Sequence, residues 1–105
     1  MNLVSVIIPY FKKKVFIKET LYSVINQTYE KLEIILVYDD QDLTDLEYIK
    51  ELIKIDKRIS LIVNKNSLGA GKSRNIAIKK SMGNYICFLD ADDIWDKNKI
   101  DLQIG

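Results

Sequence analysis

The chain is expected to form an α/β fold, an open and mostly parallel sheet with flanking helices, and three observations predict it. Four short runs rich in Val, Ile, Leu, Tyr and Phe are spaced along the 105 residues. Stretches with apolar residues three and four apart separate them, so strands alternate with amphipathic helices. The second run, Glu33-Ile34-Ile35-Leu36-Val37, is almost continuously apolar, as a strand covered on both faces must be. A chain of this length makes one domain with room for a real core.

The first strand is expected at Leu3–Ile8. Ile17, Leu21, Val24 and Ile25 then fall on one helical face, with Lys18 and Glu19 among the polar positions. The second strand is Leu32–Tyr38, and Leu46, Ile49 and Ile53 predict a helix from about Leu43 to Ile55. The third strand is Ile59–Val63, followed by a helix from about Ala70 to Met82 that Gly83 ends. The fourth strand is Asn84–Leu89. Trp95 to Ile104 then reads as the start of a further helix, with Asp96 as its N-cap.

Composition removes several function classes. Sixteen basic and 15 acidic residues leave a net charge of +1, which does not support nucleic-acid binding driven by bulk positive charge. One cysteine, Cys87, excludes an internal disulfide and a multi-cysteine zinc site. The absence of histidine removes imidazole acid–base chemistry and imidazole metal ligands, so any metal must be held by oxygen. The apolar N-terminus is brief and precedes Lys12-Lys13-Lys14, the reverse of a signal peptide's polarity. No run reaches the roughly 18–20 apolar residues of a membrane span. The expected location is cytoplasmic, with membrane-peripheral placement left open for a longer protein.

In open α/β sheets ligands bind beyond the carboxyl ends of the strands. Two acidic groups fall there: Asp39-Asp40 after the second strand, and Asp90-Ala91-Asp92-Asp93 after the fourth. Carboxylates gathered on one rim repel one another unless a cation or hydrogen-bond donors offset them. A hard ion, Mn²⁺ or Mg²⁺, suits such a set. In an extended segment residues two apart face the same side, which brings Asp90 and Asp92 together. Taken singly, Asp40 and Asp93 read as turn and capping residues. Gly69-Ala70-Gly71-Lys72-Ser73 resembles the end of a phosphate-binding P-loop, but Asn66 stands where that pattern requires its first glycine. The alternative is that its glycines let backbone approach a ligand at a helix N-terminus. Arg74 either reaches a phosphate or base there or lies on a solvated face.

Five segments in order carry a family resemblance. They are Val4–Phe11, Glu19–Tyr29 with its Ser23-x-x-x-Gln27-Thr28-Tyr29 ending, Glu33–Val37, Asn66–Asn75, and Gly83–Trp95. The sequence is similar to the N-terminal, nucleotide-sugar-binding half of a family 2 inverting glycosyltransferase of GT-A type. The resemblance implies a Rossmann-like, truncated fold that binds a nucleotide-diphospho-sugar donor, a UDP-sugar first among them, with Mn²⁺ or Mg²⁺. It places Asp39 on the base, Pro9 and Tyr10 beside the nucleoside and Arg74 near the nucleotide. Asp90 and Asp92 become the Asp-x-Asp pair, Asp92 as the more direct metal contact and Asp90 nearer the ribose.

The chain departs from the family pattern at Tyr38, at Gln41-Asp42 and at Lys12, and a shifted register would put Asp40 in place of Asp39. The acceptor site and the catalytic general base are expected beyond residue 105. The 105 residues are therefore expected to bind donor and transfer sugar poorly or not at all, and to self-associate through apolar surface near Phe88 and the last helix. A non-catalytic nucleotide-binding or regulatory module of the same fold is the alternative reading, and a P-loop phosphotransferase a third.

Overall fold

A computed structural model describes residues 1–104. Its elements alternate as β1 (Val4–Tyr10), α1 (Lys14–Ile25), β2 (Leu32–Tyr38), α2 (Leu46–Leu52), β3 (Ile59–Val63), α3 (Ala70–Lys80), β4 (Tyr85–Phe88) and α4 (Lys99–Ile104). A single 3₁₀ turn, Ile53–Ile55, extends α2. The sheet runs β3-β2-β1-β4 with every neighbouring pair parallel, which is the expected class.

Side-chain alternation sorts the sheet into two cores. Val4, Val6, Ile8 and Tyr10 of β1 and Leu32, Ile34, Leu36 and Tyr38 of β2 meet Ile17, Leu21 and Val24 of α1 and Ile49 and Leu52 of α2. Ile7, Ile35 and Val37 face the other way, against Ala77 of α3. β1 and β2 are buried on both sides, so their continuous apolar runs follow from their central place. Fully burying each such side chain contributes about 1.5–3 kcal/mol, which is why the two central strands dominate the packing.

β1 starts at Val4 and runs on to Tyr10, past the expected Ile8, β4 is confined to Tyr85–Phe88, and three helix boundaries also differ from the expectation. α2 begins at Leu46 rather than near Leu43, because the Asp42 carboxylate accepts the Thr44 N–H at 2.9 Å and holds a turn in front of it. The last helix begins at Lys99, and Asp96 serves it through its backbone carbonyl, which accepts the Lys99 N–H at 3.0 Å. α3 stops at Lys80, before Gly83. Gly83 has no left-handed conformation, and close approach explains it instead: a Cβ there would lie 2.7 Å from the Ser5 backbone nitrogen. The Gly83 N–H donates to Ser5 Oγ at 2.9 Å, and Ser5 donates to Glu33 at 2.6 Å, joining the α3–β4 connection to the centre of the sheet.

One offset in the sheet creates the site. β4 ends at Phe88 opposite Ile7, whereas β1 continues for three more residues to Tyr10, beside β2 throughout. A notch therefore opens at the carboxyl ends of the strands, floored by Pro9 and Tyr10.

Candidate functional site

The notch is a cleft of about 320 Å³ bordered by Pro9, Phe11, Lys13, Asp39, Ala70 and the Asp90-Ala91-Asp92 loop. Chain leaving β4 crosses it as a turn closed by the Asp93 N–H on the Asp90 carbonyl at 3.0 Å. This turn, rather than extended alternation, gathers the carboxylates. Oxygens of Asp90, Asp92 and Asp93 lie within 4.8 Å of one another, and all three residues are exposed. Asp93, which the sequence suggested was a turn residue, belongs to the cluster as well. An all-oxygen set of this kind fits Mn²⁺ or Mg²⁺ by the chemistry of its donors.

The polar end of α1 holds this loop from beneath. Thr20 Oγ1 donates to the buried Ala91 carbonyl at 3.0 Å, and Ser23 Oγ accepts the Trp95 N–H at 3.2 Å. The Gln27 amide donates to the Asp96 carbonyl at 2.6 Å while its Oε1 accepts the Ile100 N–H at 3.1 Å. Thr28 N–H donates to the Lys97 carbonyl at 2.9 Å. The Ser-x-x-x-Gln-Thr pattern thus has a physical task, fixing the backbone that presents the carboxylates. Its apolar helical spacing alone carried no sign of that task.

Asp39 sits on the opposite wall and is almost wholly buried. Its Oδ1 accepts the Leu68 N–H at 2.7 Å and the Asn64 amide at 3.0 Å, and its Oδ2 accepts the Gly69 N–H at 2.9 Å. Burial pushes its carboxyl up, but the hydrogen bonds from Leu68, Asn64, Gly69 and Ser73 outweigh that and hold it below the ordinary carboxylate range. Asp39 thereby shapes the loop into α3, where Gly69 has a φ of +89° that favours glycine. Ser73 is fully buried with its hydroxyl on Asn64, at 3.1 Å, so it does not face the cleft as a P-loop serine would.

Asp40 points away from the cleft. It accepts the Asp42 N–H at 2.9 Å and pairs with Lys12 at 3.4 Å. Of the two registers the sequence allows, only Asp39 borders the cleft.

Two neighbouring aromatic residues meet the cleft in different ways, and Tyr10 lines its floor. Tyr10 is fully buried, stacked on Tyr38 with centroids 5.4 Å apart, and its hydroxyl donates to Asp45 at 2.7 Å. Burial, followed by Asp45, raises the Tyr10 hydroxyl well above its usual range. The half-exposed ring on the rim is Phe11, one residue further on. Alternation explains the contrast in exposure: Tyr10 is the last inward residue of the larger core, and β1 ends there.

Arg74 joins the rim from the first turns of α3. Its guanidinium lies 3.5 Å from Asp90 and 5.7 Å from the Phe88 ring centroid, and its Nε–H is buried without a partner. Lys13 approaches Asp92 at 3.4 Å. Sequence reading missed Lys13, because nothing in a Lys12-Lys13-Lys14 run tells which lysine turns inward.

The match to the family described as Glycosyl transferase family 2 extends over residues 5–105. The chain belongs to glycosyl transferase family 2. A UDP-Glc:alpha-D-GlcNAc-diphosphoundecaprenol beta-1,3-glucosyltransferase of Escherichia coli is 43% identical over 103 residues, which is 98% of this chain and 40% of that protein. S. aureus TarS 1-349 in complex with UDP-GlcNAc superimposes with a TM-score of 0.76 at 30% identity, over 95% of this chain and 29% of that one. GalNAc-T7 with UDP, GalNAc and Mn²⁺ gives a TM-score of 0.77 at 28% identity, over 88% of this chain and 18% of that one. The family 2 chain thus has the GT-A fold of its structural neighbours. It spans 42%, 14% and 40% of the lengths of three curated relatives it matches, less than half in each case.

Proposed function

We propose that these residues form the donor-binding half of a nucleotide-sugar-dependent, inverting glycosyltransferase, and that the cleft takes the nucleoside diphosphate of a UDP-sugar. One observation carries the reading. Asp90 and Asp92, with the Asp93 carboxylate beside them, border the same cleft as Pro9, Phe11 and Asp39, at the carboxyl ends of parallel strands. The named complexes of TarS and GalNAc-T7 with UDP-bearing ligands support it.

In this reading the walls divide the work. Pro9 and Phe11 offer an apolar surface to the nucleoside, and Asp39 borders the cleft beside them as the acceptor for an N–H of the base. Arg74, held 3.5 Å from Asp90, would stand near the nucleotide side of the rim. Asp92 and Asp90, with Asp93 beside them, would hold Mn²⁺ or Mg²⁺. The bound ion would neutralise charge on the departing nucleotide. The acceptor site and the general base belong to a longer polypeptide, and a cytoplasmic or membrane-peripheral location is part of the same proposal. So is self-association through exposed Phe88 and Leu102, which light scattering at rising concentration tests: a monodisperse monomer refutes it.

Titration with UDP and Mn²⁺ checks the central reading. Wild type is expected to bind UDP with an affinity that Mn²⁺ raises, and Asp92→Ala is expected to lose the Mn²⁺ effect. Equal behaviour of the two proteins removes Asp92 from the metal site, and binding by neither removes the donor site.

A further inference from the structure

We propose that Lys13 is the resident counter-ion of Asp92, and that a divalent cation binds only by displacing it. The inference rests on the metal reading above and deepens it.

Three consecutive lysines go to three different places. Lys12 has a φ of +51°, a left-handed conformation uncommon for a side chain of its size. That kink sends Lys12 to the end of β2, 3.4 Å from Asp40 and 3.8 Å from Asp42. Lys13 turns the other way, to Asp92 at 3.4 Å, and Lys14 lies 5.1 Å from the centroid of the Tyr48 ring. The Lys13 backbone is fixed, because its carbonyl accepts the N–H groups of Phe16 and Ile17 at 3.0 and 2.9 Å and so starts α1. Its ammonium is therefore presented to the cleft from a rigid base.

The carboxylate cluster is already partly neutralised by the protein itself. Lys13 faces Asp92 and Arg74 faces Asp90, whereas Asp93 has no ion pair among the described residues. A divalent ion on Asp92 would sit within a few ångströms of a like charge. Lys13 and the metal are then alternatives for one carboxylate, and the protein keeps the loop from standing as three bare negative charges when no metal is bound. Lys13 thus sets how tightly the empty cleft takes up a cation.

Calorimetric Mn²⁺ titration of the purified chain, without nucleotide, tests this with wild type, Lys13→Met, Lys13→Arg and Lys12→Met. Lys13→Met is expected to bind Mn²⁺ roughly three- to tenfold tighter than wild type, by removing a competing charge at close range. Lys12→Met deletes the same charge one residue away and is expected to change affinity by less than about twofold, because Lys12 is seated on the other acidic group. Lys13→Arg keeps the competition and should match wild type. Unchanged or weaker binding by Lys13→Met overturns the proposal, as does an equal gain in Lys12→Met. Asp92→Ala separates the two failures. If it loses Mn²⁺ while Lys13→Met equals wild type, the counter-ion role alone fails. If it binds Mn²⁺ as wild type does, or if no variant binds, the metal reading fails too. Mn²⁺ bound by Lys13→Met but not by wild type supports displacement in its strongest form.

Discussion

The carboxylates at the ends of β2 and β4 share one rim and are held in opposite ways. Asp39 is nearly inaccessible, and three donors of the β3–α3 connection, the Leu68 and Gly69 N–H groups and the Asn64 amide, surround it. Asp90, Asp92 and Asp93 are exposed and, among the described residues, have two cations at 3.4–3.5 Å between them. A buried charge must be satisfied by fixed donors or it destabilises the fold, so Asp39 is part of the architecture. An exposed cluster with loose partners can exchange them, which is what a ligand site needs. The same residue type thus builds the wall on one side of the cleft and leaves the other side open to chemistry.

The largest break in this contrast is Asp39→Ala. It strands the Leu68 and Gly69 N–H groups and the Asn64 amide, and is expected to lower stability by roughly 2–4 kcal/mol in urea unfolding. Asp92→Ala in the same assay should stay within about 0.5 kcal/mol of wild type. Equal losses would show that both groups are structural.

Gln27→Leu should come next, at roughly 1–3 kcal/mol, because it removes the two hydrogen bonds by which Gln27 holds the Asp96 carbonyl and the Ile100 N–H. Faster hydrogen exchange at the Ile100 amide is the sharper readout, and unchanged exchange would mean that the loop holds itself.

Acid sharpens the comparison further. The Asp39 carboxyl is held below its ordinary range in the folded chain, so its contribution is present above the unfolded value of about 3.9 and is lost as pH falls through the folded value. Asp56, lowered chiefly by its hydrogen bond from Arg58, acts in the same sense. Asp39→Asn is expected to flatten the acid limb of the stability curve relative to wild type, and an unchanged limb would remove Asp39 as its source. The smallest effect is that of salt. Raising sodium chloride from about 0.1 to 1 M screens the Lys13–Asp92 and Arg74–Asp90 pairs and should alter stability through them by less than about 0.5 kcal/mol. A larger loss traced to these pairs by their alanine variants would mean that the loop is as firmly built as the Asp39 wall.

Much of the fold was legible because burial on both faces leaves a crude trace. Leu32–Tyr38 and Ile59–Val63 form strands at the expected bounds, since continuous apolar runs have few other places to go. Asp90 and Asp92 were legible from their place after a strand. The remainder depended on geometry that spacing does not encode. Phe11 joins Tyr10 at the cleft because β1 is longer than its apolar run suggested, and Lys13 turns inward because of the kink at Lys12. The roles of Ser23 and Gln27 required knowing which loop, some seventy positions away, lies against α1.

The parallel pairing of β1 has a consequence for how the chain is made. Val4 faces Leu32 on one side and Tyr85 on the other, so the first strand gains one neighbour early and the second much later in synthesis. At roughly 5–20 residues per second, the open edge of β1 waits for seconds beside a nascent chain. An unpaired apolar edge is a template for mispairing. Tyr85–Phe88 emerges into that interval already followed by Asp90, Asp92 and Asp93, and charges flanking a sticky strand act as gatekeepers against aggregation. The acidic loop would thus guard the newborn strand before it has any ligand to hold.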